Sequence, residues 1–188
     1  MAASSPGHAG HGHHAADARA VDCVVLTVSD TRTEADDASG ALLRRLLEEA
    51  GHRVLAHAIV RDEPAEVRAL LLRHASEGEA GAVLLTGGTG ISPRDSTYEA
   101  VDSLLDKRLD GFGELFRMLS WEEIGAAAML SRATAGLMQG MAVFSMPGSS
   151  AACRLAMEKL ILPQLGHVAG LARPGRQGGH GNGMRGSS

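Results

Sequence analysis

The chain has 188 residues, with 22 acidic against 18 basic side chains and a formal net charge of −4. That balance gives no electrostatic footprint for nucleic acid, and no stretch is apolar for long enough to span a membrane or act as a signal-peptide core. Aromatic residues are few, glycine numbers 24, and Ala, Leu and Val supply most of the apolar content, which suits an α/β core of small strands and Leu/Ala-faced helices.

Residues 1–20 are Ala, Ser, Gly and His, with His8, His11, His13 and His14 close together. Such a segment cannot bury a core, so it reads as a disordered tail with incidental metal affinity. Residues 172–188, rich in Gly and Arg, read the same way, leaving a single domain over residues 21–171. Residues 21–29 carry Cys23, Val24, Val25, Leu26 and Val28 almost unbroken, as a strand buried on both faces requires. Cys23 and Cys153 lack a Cys-x-x-Cys or metal-ligand partner and read as buried, reduced thiols of a cytoplasmic protein.

A polar loop follows, in which Ser29 and Asp30 sit at a strand's C-terminal end, where open α/β sheets bind ligands. Leu42, Leu43, Leu46, Leu47 and Ala50 then face one side of a helix capped by Ser39 or Asp37 and ended by Gly51. Residues 54–60 predict a second strand. Pro64 predicts the first position of a second helix, whose stripe is Val67, Leu70, Leu71 and His74. Asp62, between that strand and helix, is a cap by default, yet it too stands at a strand's C-terminal end.

The third strand, Ala82-Val83-Leu84-Leu85, feeds Thr86-Gly87-Gly88-Thr89-Gly90-Ile91-Ser92-Pro93-Arg94-Asp95. Strand, glycine-rich turn and helix together let backbone N–H groups wrap an anion, and the glycines permit positive φ and close approach. No Gly-Lys-Ser/Thr ends the stretch, which excludes a Walker A loop, and Pro93 occupies the position where a dinucleotide fingerprint needs its third glycine. A plain strand-to-helix turn is the simpler alternative for the glycines alone. Ser96-Thr97-Tyr98-Glu99 has the capping-box spacing, so Asp95 is not needed as a cap; a carboxylate beside phosphates is accommodated when a divalent cation joins them.

Gly111 and Gly113 predict a break, with Phe112, Leu115, Phe116 and Leu119 as a short apolar patch. A second capping-box pattern at Ser120-Trp121-Glu122-Glu123 precedes residues 124–137, which read as an Ala-rich helix or a subunit contact. Residues 141–146 predict the last strand, running into Pro147-Gly148-Ser149-Ser150 and a further helix. This second strand–glycine–helix junction is another ready anion site. Two such junctions, with acidic residues after two other strands, describe a phosphate-bearing ligand held with a metal.

These residues together resemble the molybdenum-cofactor MoaB/Mog family. The resemblance rests on Thr86 to Gly90 with Pro93-Arg94-Asp95, and on Met146-Pro147-Gly148-Ser149. It extends to Leu26-Thr27-Val28-Ser29-Asp30-Thr31-Arg32, to Asp37-Ala38-Ser39-Gly40, to Ala50-Gly51-His52 and to Gly111 through Met118. Trp121-Glu122-Glu123-Ile124-Gly125 and Ser131-Arg132-Ala133 are similar to the MoaB branch in particular.

The resemblance implies a three-layer αβα sandwich around a mostly parallel sheet with one antiparallel strand, assembled as a homotrimer or hexamer. It implies Mg²⁺-dependent transfer of AMP from ATP to molybdopterin, with a downstream molybdate-insertion protein as a further partner. Asp62 and Asp95 would then be the catalytic and metal-holding residues. Thr86, Gly87, Gly88, Thr89, Gly90, Arg94, Pro147, Gly148, Ser149 and Ser150 would bind phosphates, and Ser29 and Asp30 would line the pterin side. Two other readings are a molybdopterin carrier without chemistry and a scaffold in which the glycine turns are only structural.

Overall fold

Strand β1 (Asp22–Val28) lies inside a six-stranded sheet in the computed structural model of the protein, which describes residues 19–93 and 95–173. Its apolar run is broken only by Thr27 because both faces are covered: Cys23 and Val25 join one core, while Val24, Leu26 and Val28 join the other. From β1 the chain forms α1 (Ala38–Glu49), β2 (Arg53–Val60), α2 (Pro64–Glu77), β3 (Ala82–Thr86), α3 (Thr97–Asp102) and β4 (Lys107–Arg108). It continues through α4 (Asp110–Ile124), a 3-10 turn (Gly125–Leu130), β5 (Thr134–Met138) and β6 (Met141–Met146). Helix α5 (Ser150–Ala156), a π-type turn (Met157–Ile161) and α6 (Leu165–Ala172) complete it.

The strand order is β2-β1-β3-β6-β5-β4. β1 pairs in parallel with β2 and β3, and β3 with β6; only β5 runs the other way, antiparallel to both β6 and β4. Leu43 and Leu47 of α1, Phe112 and Phe116 of α4 and Leu155 of α5 pack on one face of the sheet. Val67 and Leu71 of α2 and Val101 of α3 pack on the other. The mostly parallel three-layer fold expected from the resemblance is the fold observed. Among the described residues no helix is long and apolar enough to cross a membrane.

Several local expectations are corrected. Gly111 and Gly113 do not break the chain but lie in the first turn of α4. Gly113 is small because the helix closes on β5's leading segment, where a methyl group would meet the Ala133 carbonyl oxygen. The Ser120 to Glu123 pattern starts no helix, since α4 runs straight through it. Residues 124–137 are a 3-10 turn followed by β5, whose Thr134, Ala135, Gly136 and Met138 are buried by the sheet's own layers. Ser96 stands at the α3 N-cap position but its hydroxyl makes no capping bond; it points to Asp62 instead.

Candidate functional site

The loops after β1, β3 and β6 meet at the C-terminal edge of the sheet. β2 and β3 flank β1 on opposite sides, and their crossover helices α1 and α2 lie on opposite faces, so the chain reverses its winding there. A crevice opens at such a point because neighbouring loops leave in opposite directions. Gly87, at φ +102°, has no room for a methyl group against the Val28 carbonyl. A methyl on Gly148 would lie 3.2 Å from the Gly87 Cα, so the two glycine turns are in contact. The Gly87 N–H donates to Met146 O at 3.0 Å and the Thr86 hydroxyl to Pro147 O at 3.2 Å, locking them together. Beside this junction lies a cleft of about 460 Å³. Ser29, Arg32 and residues 87–90 and 147–149 form its polar side, and Phe116, Ile124 and Leu130 form an apolar wall.

One lip is acidic. Asp62, just past β2, takes bonds on Oδ1 from the Ser96 N–H and hydroxyl, both at 3.4 Å, and from the Thr97 hydroxyl at 3.0 Å. Asp95 Oδ2 accepts the Ser92 N–H at 2.9 Å, closing the turn after the glycine loop. A methyl on Gly88 would crowd Asp62 and one on Gly90 would overlap Asp95, so both carboxylates stand against the same loop. Each has a second oxygen that takes no bond from a described residue. Arg132 grips this lip from the segment before β5, donating to Thr89 O at 3.4 Å and Asp95 O at 2.9 Å. Its guanidinium also pairs with Glu99 and lies 5.1 Å from the Tyr98 ring centre.

The other lip is basic. Arg32 donates from Nη2 to Gly148 O at 2.9 Å and from Nη1 to the Ser39 hydroxyl, with Asp37 Oδ1 at 3.5 Å. Asp37 caps α1 through the Gly40 N–H at 2.9 Å, and its side chain has no exposed surface. It also accepts from the Thr27 hydroxyl at 2.6 Å and the Ser39 hydroxyl at 3.2 Å, with His57 Nε2 at 2.9 Å. Burial alone would raise the Asp37 carboxyl, but the bonds from Thr27, the Gly40 amide, His57 and Ser39 outweigh it and bring the pKa below the ordinary 3.8.

Residues 24–167 match the MoCF_biosynth family, described as a "Probable molybdopterin binding domain". The chain belongs to this family. It is 54% identical over 151 residues to the molybdenum cofactor biosynthesis protein B of Halalkalibacterium halodurans, covering 80% of this chain and 89% of that one. Against the protein of the same name from Escherichia coli K12 it is 47% identical over 141 residues, 75% of this chain and 83% of that one. A crystal structure of a molybdenum cofactor biosynthesis protein B superposes with a TM-score of 0.80 at 52% identity, covering 82% of this chain and 97% of that one. The tungsten cofactor synthesizing protein MoaB of Pyrococcus furiosus gives 0.75 at 39%, over 83% and 99%.

Within this molybdopterin-binding-type domain the predicted residues divide. Ser29, Gly87, Gly88, Thr89, Gly90, Pro147, Gly148 and Ser149 line the cleft, but the Gly87 N–H is already bonded and cannot serve an anion. Thr86 is not a cleft residue: it is fully buried, with its hydroxyl on Pro147 O and 3.1 Å from Cys153 Sγ. Ser150 lies outside the cleft lining, on the exposed first turn of α5, while Ser149 caps that helix through the Ala152 N–H. Asp30 is at the rim, where its carboxylate accepts the Asp62 N–H at 3.3 Å, and Asp62 and Asp95 flank the glycine loop without lining the cleft. Arg94 lies outside the described residues.

Arg32, Asp37, Arg132 and the apolar wall were absent from the expected set. Arg32 and Arg132 entered only as members of family-like runs with no role attached, and Arg132 lay in a segment read as a helix or a subunit contact. Burial pushes the Cys153 thiol up to about 11 and the Cys23 thiol up to about 12, so neither is a nucleophile near neutrality.

Proposed function

We propose that this protein transfers AMP from ATP to molybdopterin with Mg²⁺, giving adenylyl-molybdopterin and pyrophosphate. The observation that carries the reading is the pair of carboxylates, Asp62 and Asp95, set against a glycine loop that also lines an anion-sized cleft. In the reaction a phosphate oxygen of the pterin bonds to the α-phosphorus of ATP as the bond from that phosphorus to pyrophosphate breaks. Both reactants are polyanions, so positioning and charge neutralisation are what the protein must supply.

The donor set suits Mg²⁺, which takes hard oxygen ligands from one or two carboxylates and completes its shell with phosphates and water. Among the described residues no group of three or more His, Cys, Asp or Glu side chains could hold a metal unaided. Asp62 and Asp95 would hold Mg²⁺, which contributes charge neutralisation for the phosphates. The amides of residues 88–90 and the hydroxyls of Ser29 and Ser149 would bind phosphate oxygens. Phe116, Ile124 and Leu130 would seat the flat pterin and keep water from it. The exposed Leu115, Met118, Trp121 and Met129 on α4 and its following turn suit burial between subunits of a trimer or hexamer, which light scattering would measure.

That neither carboxylate lines the cleft favours a second reading, a molybdopterin carrier without chemistry. One incubation separates the two: molybdopterin, ATP and Mg²⁺ with the protein, followed by detection of adenylylated pterin and an equal amount of pyrophosphate. Bound pterin with no product would establish the carrier.

A further inference from the structure

The Asp37-Ala38-Ser39-Gly40 run has no part in the reading above, yet it is built more elaborately than a helix cap needs. The Gly40 N–H alone would satisfy a capping carboxylate. Instead the Thr27 and Ser39 hydroxyls, His57 and Arg32 also converge on a side chain with no exposed surface. The α1 backbone is pressed onto this cluster, since a methyl on Gly40 would overlap Asp37 Oδ2, His57 Nε2 and Thr27 Oγ1. A buried carboxylate bonded from several sides has one orientation, and whatever it touches inherits that orientation.

What it touches on the outer side is Arg32. Bonds to Ser39, Asp37 and Gly148 engage Nη1 and one proton of Nη2. Nε and Nη2 share the remaining edge of the fork, and the Nε proton and one Nη2 proton have no acceptor among the described residues. That edge matches two oxygens of a phosphate. The side chain is 32% exposed and lines the cleft, while Ser29 Oγ accepts the Arg32 N–H at 3.1 Å and fixes the loop that carries it.

We infer that Arg32 binds a phosphoryl group in the cleft and that Asp37 is its positioning residue. The inference rests on the cleft being the anion site of the proposed function, but not on adenylyl transfer, because binding at equilibrium needs no turnover. Two sources share the chemistry: the terminal phosphate of the pterin and the phosphates of ATP.

The test is titration of wild type, Arg32→Gln, Arg32→Lys, Asp37→Asn and the Arg32→Gln/Asp37→Asn double variant with molybdopterin, dephosphorylated molybdopterin and ATP separately. Arg32→Gln should weaken one phosphorylated ligand about 10- to 100-fold, the range for a lost charged bidentate contact, and Arg32→Lys should restore part of it. The ligand that loses affinity identifies the source. Affinity for dephosphorylated molybdopterin should stay within about twofold; an equal loss there would mean a structural role and overturn the inference, as would unchanged affinity for every ligand. Asp37→Asn should weaken the same ligand about 3- to 10-fold, and the double variant should bind no worse than Arg32→Gln alone. Losses that multiply would overturn the positioning role.

Discussion

Each lip of the cleft is held by a charge opposite to its own. The acidic lip is gripped by Arg132, which bonds the carbonyls of Thr89 and Asp95, and the basic lip by Asp37, which holds Arg32. Burial separates the two grips. The Asp37 side chain has no exposed surface, whereas Arg132 is 25% exposed and its partner Glu99 60%. A buried, many-bonded carboxylate is costly to disturb, while a solvent-facing ion pair contributes little on its own. The basic lip is therefore anchored on a fully buried carboxylate, the acidic lip on an arginine whose own partner is exposed. Stability should depend more on the first than on the second.

Asp95→Asn tests the acidic lip where the largest effect is expected. The substitution keeps the acceptor that closes the 92–95 turn but removes the charge, so the proposed adenylyl-molybdopterin formation should fall by roughly 10²–10³-fold, the scale for losing one transition-state electrostatic partner. Molybdopterin affinity should stay within about threefold. Undiminished turnover in this variant would take Asp95 out of the mechanism.

Arg132→Ala sharpens the contrast at intermediate size. It deletes bonds to carbonyls on both sides of the 90–94 stretch, and turnover should drop about tenfold as the loop loses its register. The melting temperature should move by only about 2 °C, because the ion pair with Glu99 is exposed. A large thermal loss with normal turnover would show that the acidic lip, not the basic one, is the rigid part.

These differences mirror what the sequence discloses. β1, β3 and β6 are legible because both of their faces are covered, which imposes almost unbroken apolar runs. β4 is two exposed residues, Lys107 and Arg108, and has no periodicity to read. β5 is Thr-Ala-Gly-Leu-Met, whose place in the sheet comes from pairing with β6 rather than from its own composition. Gly113 misled because a helical glycine demanded by close packing looks like a helix breaker. The placing of Ser29, Asp62, Asp95 and the glycine loop beside the sheet's C-terminal edge was legible because each follows a strand. The Arg32 and Asp37 cluster was not, since Thr27, Asp37 and His57 come from three segments that meet through the pairing of β1 with β2 and the packing of α1 on the sheet.

The basic lip carries its own pH signature. Asp37 has a folded pKa below 3.8, so its contribution to stability is complete above that unfolded value and is lost as pH falls through the lower folded one. Asp37→Asn should cost about 2 kcal/mol near neutrality, the scale of a charged buried hydrogen-bond acceptor. The gap from wild type should stay constant down to about pH 5 and narrow below pH 4. Denaturant melts at pH 7, 5, 4 and 3 would measure it. A gap that widens with acid would mean that the carboxylate is not the stabilised form.

Thr86→Val probes the junction that both lips share, and the expected effect is the smallest. The hydroxyl donates to Pro147 O from a fully buried position and does not reach the cleft. Valine matches the shape, so the change removes the bond to Pro147 O and the 3.1 Å contact with Cys153 Sγ, and leaves Pro147 O facing the more distant Cys153 thiol at 3.5 Å. The cost should be about 1 kcal/mol in a denaturant melt, with molybdopterin affinity and turnover within about twofold. The same residue type at the end of β3 could instead have offered its hydroxyl to a phosphate. A tenfold loss of affinity at unchanged stability would then return Thr86 to the site and place the ligand deeper than the contact between Gly87 and Gly148 allows.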